Sequence, residues 1–308
     1  MDKCIIWGNG ADYEGIINQI KYEELKGNLQ VIAVVARKDE IFGSKRDGYL
    51  LVTKEELPAI DFDTLIIASS AYYTEILAEA NDLGIPAKCI MAGKAFRLPL
   101  FDYKQYIQLI REPVTILSDD CWGGYIYHEL CLQFTSPLIN ILWQKDSYCK
   151  FIQDPLYYFE QPLELHTEGN LRENVSPVGE IGKKDKKIRL EFVHAPNFKE
   201  AKYLWEKRRE RINKDRIFVK IGIDGTEENI EEYLQSFARV PFPKICFYSG
   251  KTSMKDVVYL KRFEWQCYQG KRMDSAQYTY YTRRMNYLRK DINLIKLLNG
   301  ERDYIREE

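Results

Sequence analysis

The sequence predicts an α/β protein built as two successive three-layer α/β/α domains with mainly parallel sheets. Three observations predict it. Short apolar runs alternate with segments of helical spacing from residue 3 to residue 248. Several of those runs are apolar at every position, as in strands covered on both faces. The chain has 308 residues, 45% apolar and 30% charged, enough for two cores and too apolar for disorder.

In the first domain, residues 3–7 read as a strand and Gly8-Asn9-Gly10 as a turn. Residues 13–26 carry Ile16, Ile17, Ile20 and Leu25 at helical spacing. Residues 30–36 form a second strand, and 54–57 a short helix with Thr53 as its cap. Strand 64–69, helix 72–83 (stopped by Gly84) and strand 87–91 follow. This order implies parallel pairing through right-handed crossovers, hence a Rossmann-like domain over residues 1–100.

Residues 92–102 read as a linker into a second α/β domain over 101–308 with a helical C-terminal tail. Helix 103–111 leads to strand 114–117, the loop 118–124, helix 125–133 and strand 138–143. Residues 146–151 look helical, and 166–187 form a polar surface excursion. Strand 188–194, helix 198–213, strand 217–221, helix 227–237 and strand 244–248 complete the alternation. The tail is helical at least over 283–298, where Leu288, Ile292, Ile295 and Leu298 recur, and Tyr278-Thr279-Tyr280-Tyr281 precede it as a possible partner surface. No internal repeat shares residues.

Composition excludes several classes. Mean hydropathy is -0.42 and no apolar run approaches the ~20 residues of a membrane span, so the chain reads as soluble and cytoplasmic. Seven cysteines without a CxxC pair fit free thiols in a reducing compartment. Three histidines, none paired with Cys at ligand spacing, argue against structural zinc. The charge balance is -4 over 1–112, -4 over 113–198 and +7 over 199–308, the last from 24 basic and 17 acidic residues. That excess suits an anionic ligand such as a nucleotide diphosphate and is too diluted by acids for duplex nucleic acid.

Four constellations could carry chemistry. Gly8 and Gly10 sit where a βα turn brings a phosphate to backbone amides. The position of the third glycine is Tyr13, however, and strand two ends Ala36-Arg37 without an acid for ribose, which argues against NAD. The second constellation is Ser118-Asp119-Asp120-Cys121-Trp122-Gly123-Gly124, between a buried strand and a helix, where open α/β sheets place ligands. Three readings stand side by side. Asp119 and Asp120 hold a divalent ion that bridges a diphosphate. Cys121 is a nucleophile, with Asp120 beside it. Or the segment is scaffold: an Asp or Ser cap, Trp122 as a core plug, Gly123 and Gly124 for turning.

Third is Asn140, whose amide in an apolar segment needs partners. Fourth is His194, a candidate general base at a strand end, followed by a helix bearing Arg208, Arg209 and Arg211. Inward-facing arginines there could clamp a phosphate or carboxylate; the bland alternative is a solvated, salt-bridged helix.

Two resemblances attach to these residues. The pieces "IIWGNG", "VIAVVARKDE", "YLLVTKEEL", "DFDTLIIASSAYYTEI" and "LGIPAKCI" resemble small Rossmann-like domains that precede transferase domains in bacterial sugar-modification proteins. The pieces "ILSDDCWGGYIYHELCLQFTSPLIN", "SPVGEIG", "EFVHAPNFKEAKYLWEKRRERIN" and "FARVPFPKICF" resemble a bacterial family of unknown function often described as exopolysaccharide biosynthesis proteins. That family often carries Asn where this chain has Asp119 and Asp120.

The resemblance implies a setting in sugar-polymer assembly and supplies no reaction. The expectation is a transferase using an activated sugar or acyl donor, with nucleotide-sugar or acyl-CoA as partner. Residues 118–124 would contact the donor's phosphates, His194 would act as base, and the arginines would counter the leaving charge. Residues 118–124 and His194 should then open into one cleft at the ends of neighbouring strands. The competing expectation is a non-catalytic sugar-binding or assembly protein of the same setting. The sequence names no cofactor and no oligomeric state.

Overall fold

The computed structural model describes residues 1–40, 45–166, 176–223, 225, 227–248, 250–258 and 292–304. It is an α/β protein with mainly parallel sheets, divided into two compact units. Among the described residues, no helix is long and apolar enough to cross a membrane.

The first unit comprises Met1–Glu112, Leu130–Leu132 and Asn293–Tyr304. Its sheet contains β1 (Asp2–Trp7), β2 (Leu29–Val35), β3 (Lys45–Arg46), β4 (Tyr49–Val52), β5 (Thr64–Ile67) and β6 (Ile90–Ala92), in the order β3-β4-β2-β1-β5-β6. Only β3 runs antiparallel to its neighbour. The winding reverses between β1 and β5, which makes the unit Rossmann-like. Its helices are α1 (Ala11–Glu14), α2 (Ile17–Leu25), α3 (Tyr73–Asp82) and α4 (Tyr103–Arg111). The apolar runs behave as read: every residue of β5 is buried, and Ile5, Trp7, Val35, Leu65 and Ile67 pack with Ala80 of α3.

The turn after β1 requires its first glycine. Gly8 has φ 115°, and a Cβ there would lie 2.8 Å from the carbonyl oxygen of Ala68. Gly10 has open space around the same position. We expect Gly8→Ala to cost about 1–3 kcal/mol and Gly10→Ala to be near neutral, as read by urea unfolding. Equal costs would show that the close approach is not what fixes Gly8.

The first unit extends past residue 100 because α4 is tied into it. Tyr103 Oη lies 3.3 Å from Cys4 Sγ and donates to Asp2 Oδ2 at 3.1 Å; Arg111 pairs with Asp2 at 2.7 Å. Leu294–Leu298 also belongs here, as a short helix capped by the Asn293 side chain, with Leu294, Ile295, Leu297 and Leu298 buried. The rest of the expected tail helix and the Tyr278–Tyr281 stretch lie outside the described residues.

The second unit holds Pro113–Glu129 and the described part of Gln133–Ile292. Its parallel sheet contains β7 (Thr115–Ser118), β12 (Ile217–Ile223), β13 (Lys244–Tyr248) and β14 (Val257–Val258), in the order β14-β13-β12-β7. A second sheet, antiparallel throughout, contains β8 (Leu142–Trp143), β9 (Glu164–His166), β10 (Val178–Ile181) and β11 (Ile188–Glu191), in the order β8-β11-β10-β9. Helices are α5 (Trp122–Glu129), α6 (Lys145–Phe151), α7 (Pro155–Glu160), α8 (Phe198–Arg209) and α9 (Ile230–Arg239).

The antiparallel sheet departs from the expected rhythm. The stretch 182–187 between β10 and β11 is far shorter than the dozen or so residues a parallel crossover needs, so it closes as a hairpin, with Gly182 at φ 94°. The expected strand 138–143 shrinks to β8, because Leu138, Ile139 and Ile141 are buried in turns rather than paired. The core of this unit joins both sheets: Leu117, Val219, Ile221 and Cys246 pack in one cluster with Leu190, Phe192 and Trp205.

Candidate functional site

The polar centre of the second unit forms where β7 ends. All seven residues of β12, Ile-Phe-Val-Lys-Ile-Gly-Ile, are buried, so its one lysine must find its counter-charge inside the protein. Lys220 pairs across the ladder with Ser118, which places it beside the two acids that follow β7. Its fully buried ammonium reaches Asp119 Oδ1 at 2.9 Å and Asp120 Oδ2 at 2.7 Å. Lys145, the first residue of α6, reaches Asp119 Oδ2 at 2.7 Å and also donates to the Gly222 carbonyl.

The remaining lone pairs are satisfied by neutral donors. Gly222 N–H donates to Asp119 Oδ2 at 3.0 Å. Asp120 Oδ1 accepts from Ser118 Oγ at 3.1 Å and from Trp122 N–H at 2.9 Å, which caps the start of α5. Tyr148 Oη donates to the Lys220 carbonyl at 2.9 Å. Two buried carboxylates thus face two ammonium groups at the carboxyl ends of adjacent parallel strands.

The charge states follow from this packing. Burial pushes the Asp119 carboxyl up, but the charges of Lys145 and Lys220, with hydrogen bonds from Lys145 and Gly222, outweigh it and hold the group at about 2. Burial lowers Lys220, and Asp119 and Asp120 more than offset it, so the ammonium is kept. Because Asp119 is depressed from 3.8 to about 2, its contribution to stability is present above ~4 and lost as pH falls through that window. The urea midpoint should fall between about pH 4 and pH 2 in the native chain and stay flatter in Asp119→Asn. Parallel slopes in the two proteins would contradict the assignment.

The rest of the loop is packed as scaffold. Trp122 is fully buried, with ring centroids 6.4 Å from Phe218 and 6.0 Å from Phe247. Its indole N–H has no partner among the described residues. A Cβ on Gly123 would come within 3.3 Å of Ile116 and Ser118, so this glycine lets α5 lie close on β7. Cys121 is half-buried beside this network.

Several expected members lie elsewhere. His194 is exposed in a turn after β11, which belongs to the antiparallel sheet, not beside β7 in the parallel one. Asn140 is no buried amide: it is exposed, at φ 65°, a conformation Asn tolerates in a turn. Arg208 donates to the Ile139 carbonyl at 2.9 Å, and Arg209 donates to the Phe159 carbonyl at 3.2 Å and to Glu206 at 2.5 Å. These two fasten α8 to neighbouring loops rather than frame an anion site. Arg211 is exposed.

The acids do not form a metal cluster either. Asp119 and Asp120 already hold two ammonium groups, which a divalent ion would have to displace. Among the described residues, one group of three potential ligands occurs, Glu164, His166 and Glu180 on β9 and β10, and Lys187 pairs with Glu180 at 2.5 Å there. In the first unit, Gly8 and Gly10 flank a turn that is followed, after Ala11, by the acid Asp12. Asp12 accepts the Ser70 N–H at 2.6 Å and pairs with Arg97 at 3.3 Å. A carboxylate so placed repels a phosphate at the βα turn.

Lys220 and Lys145 were not legible as site residues. The signal for Lys220 was present: a single lysine in the apolar run 217–223, with two adjacent acids at the end of another buried strand. Lys145 carried no such mark.

Comparisons with known proteins complete the picture. A relative from Haemophilus influenzae, an uncharacterized protein, is 28% identical over 163 residues, covering 52% of this chain and 73% of that one. A solved Klebsiella pneumoniae structure, described as a "putative oxidoreductase", aligns with TM-score 0.20 and 12% identity over 64% of each chain, too slight a likeness to carry an argument. Residues 1–91 match the model of the "C2185-like, N-terminal" family. Residues 92–289 match the model described as "Domain of unknown function (DUF1919)", and the chain belongs to that family.

Proposed function

We propose that the second unit binds an activated, anionic donor, a nucleotide-sugar or an acyl-CoA, and serves as a transferase in bacterial exopolysaccharide assembly. The observation that carries this reading is the charge network of Asp119, Asp120, Lys220 and Lys145 at the carboxyl ends of β7 and β12. Buried ion pairs are expensive to assemble and add little net stability over a well-packed apolar core. Concentrated at the strand ends where α/β sheets take ligands, they suit a site better than a scaffold.

Lys145 is the member that meets solvent, with 20% of its side chain exposed against none of Lys220. An ammonium donates three hydrogen bonds. Asp119 and Gly222 take two from Lys145, and the Glu227 carboxylate lies 4.0 Å away, too far for the third. A donor's phosphate oxygen would complete the set and carry the charge that grows there as the group leaves. Lys220 would fix Asp119, and Asp119 would aim Lys145.

The test is a thermal-shift panel of nucleotide-sugars and acyl-CoA thioesters on the native chain and on Lys145→Met, each with and without a chelator. One class should stabilise the native chain, by about 2.7 kcal/mol at a hundred times its dissociation constant, and much less in Lys145→Met. The chelator should change neither result, since ammonium groups occupy the acids. Silence across both classes would favour the alternative, an assembly protein without a donor site.

A further inference from the structure

We propose that Glu164, His166 and Glu180 form a binding site for a transition-metal dication of the zinc class, which enters by replacing the ammonium of Lys187. The site lies on the antiparallel sheet and does not depend on the donor reading.

Strand register builds the cluster. β9 and β10 run antiparallel, with Glu164 directly opposite Glu180. Residues two apart on a strand share a face, so His166 stands beside Glu164 on that same face. Each of the three side chains offers a ligand atom, and these atoms lie within 4.8 Å of one another. Like charges directly opposite on a ladder repel, so the two carboxylates favour a cation between them. Lys187 supplies it, with Nζ 2.5 Å from Glu180 and 3.6 Å from Glu164. Arg189 lies opposite Glu180 on β11, and an arriving ion meets its charge as well.

The imidazole is what favours a metal over an ammonium. His166 Nε2 lies 3.4 Å from Glu180 Oε2. A tetrahedral zinc ion with bonds of ~2.1 Å holds neighbouring ligand atoms about 3.4 Å apart, so this edge of the site is already set. Glu164, with 61% of its side chain exposed, is free to close the remaining sides. One nitrogen and two carboxylate ligands suit zinc, whereas magnesium and calcium take oxygen ligands. The resident cation can also leave. Lys220 is sealed between Asp119 and Asp120, but Lys187 keeps 44% of its side chain in solvent. Once in place, the ion would tie the three-residue edge strand β9 to β10 through side chains as well as backbone.

Calorimetric titration of zinc chloride into the chelator-treated full chain tests this, using the native protein, His166→Ala, Glu180→Gln, Lys187→Met and His194→Ala. His194 is exposed and lies outside the cluster, so it controls for loss of any histidine. Unfolding midpoints verify that each variant is folded. The native chain and His194→Ala should bind one zinc ion with equal affinity. His166→Ala and Glu180→Gln should weaken binding by about tenfold or more. Lys187→Met should bind about two- to fivefold more tightly, since the competing cation is gone. Magnesium chloride should give no binding at the same concentrations. Zinc affinity unaltered by His166→Ala would place the ion on other groups, such as thiols, and overturn the proposal. Absence of zinc binding from every protein would overturn it too. Magnesium bound as tightly as zinc would overturn the role of the imidazole, and unchanged affinity in Lys187→Met would overturn the exchange of one cation for the other.

Discussion

Replacing Lys220 by methionine should destabilise the second unit by about 3–5 kcal/mol, a large fraction of the ~5–15 kcal/mol by which domains are stable. The side chain is fully buried and touches both acids, so its loss leaves Asp120 without its close ammonium and Asp119 with only Lys145. Methionine fills similar space, which isolates the electrostatic loss from a cavity. The cost arises from stranding buried carboxylates, not from forfeiting a favourable bond. Adding Asp120→Asn to Lys220→Met should therefore recover part of the loss, because the stranded charge is gone. Urea unfolding of the two variants measures this. A loss under about 1 kcal/mol for Lys220→Met would mean that solvent reaches the network freely.

Trp122→Ala should cost about 3–5 kcal/mol, the range for emptying a fully buried aromatic site. The ring is sealed against Phe218 of β12 and Phe247 of β13, so α5 would lose its main anchor to the parallel sheet. Trp122→Phe should be far milder, because the lost N–H has no partner. This pair separates a core plug from a sugar platform. If Trp122 stacked on a ligand, Trp122→Phe would weaken ligand binding while leaving stability nearly intact. The packing predicts that stability falls modestly and ligand affinity does not change.

How much of this was legible in the sequence depends on the distance over which the information acts. The parallel strands and their order of appearance came from local runs such as 64–67 and 217–221, whose burial on both faces dictates unbroken apolar residues. The antiparallel sheet was missed because its strands are short and its register rests on a hairpin turn at Gly182 rather than on periodicity. The first unit's boundary fell at residue 112 because Tyr103 and Arg111 reach Asp2, contacts about a hundred residues apart that no local pattern encodes.

The loop 118–124 reads from the sequence as a polar cluster at a strand end, and its acids find partners that the local sequence does not mark. The sequence offers three readings there, an acid pair on a divalent ion, a Cys121 nucleophile, or scaffold with an Asp or Ser cap and Trp122 as core plug, and the Asp120 cap and the buried Trp122 are both present. The acids chose Lys145 and Lys220 instead, which lie 26 and about a hundred residues along the chain. Asn140 goes the other way: an amide among apolar residues reads as buried, whereas its left-handed conformation places it at an exposed turn.

The most direct measurement is amide hydrogen exchange on the full chain, with and without whichever nucleotide-sugar or acyl-CoA stabilises it. The account predicts slowed exchange in peptides spanning residues 118–124, the start of α6 at Lys145, and the end of β12 at Gly222, with the first unit unchanged. Slowing confined to the βα turn at Gly8 and Asp12 would place the ligand on the other unit and contradict the account.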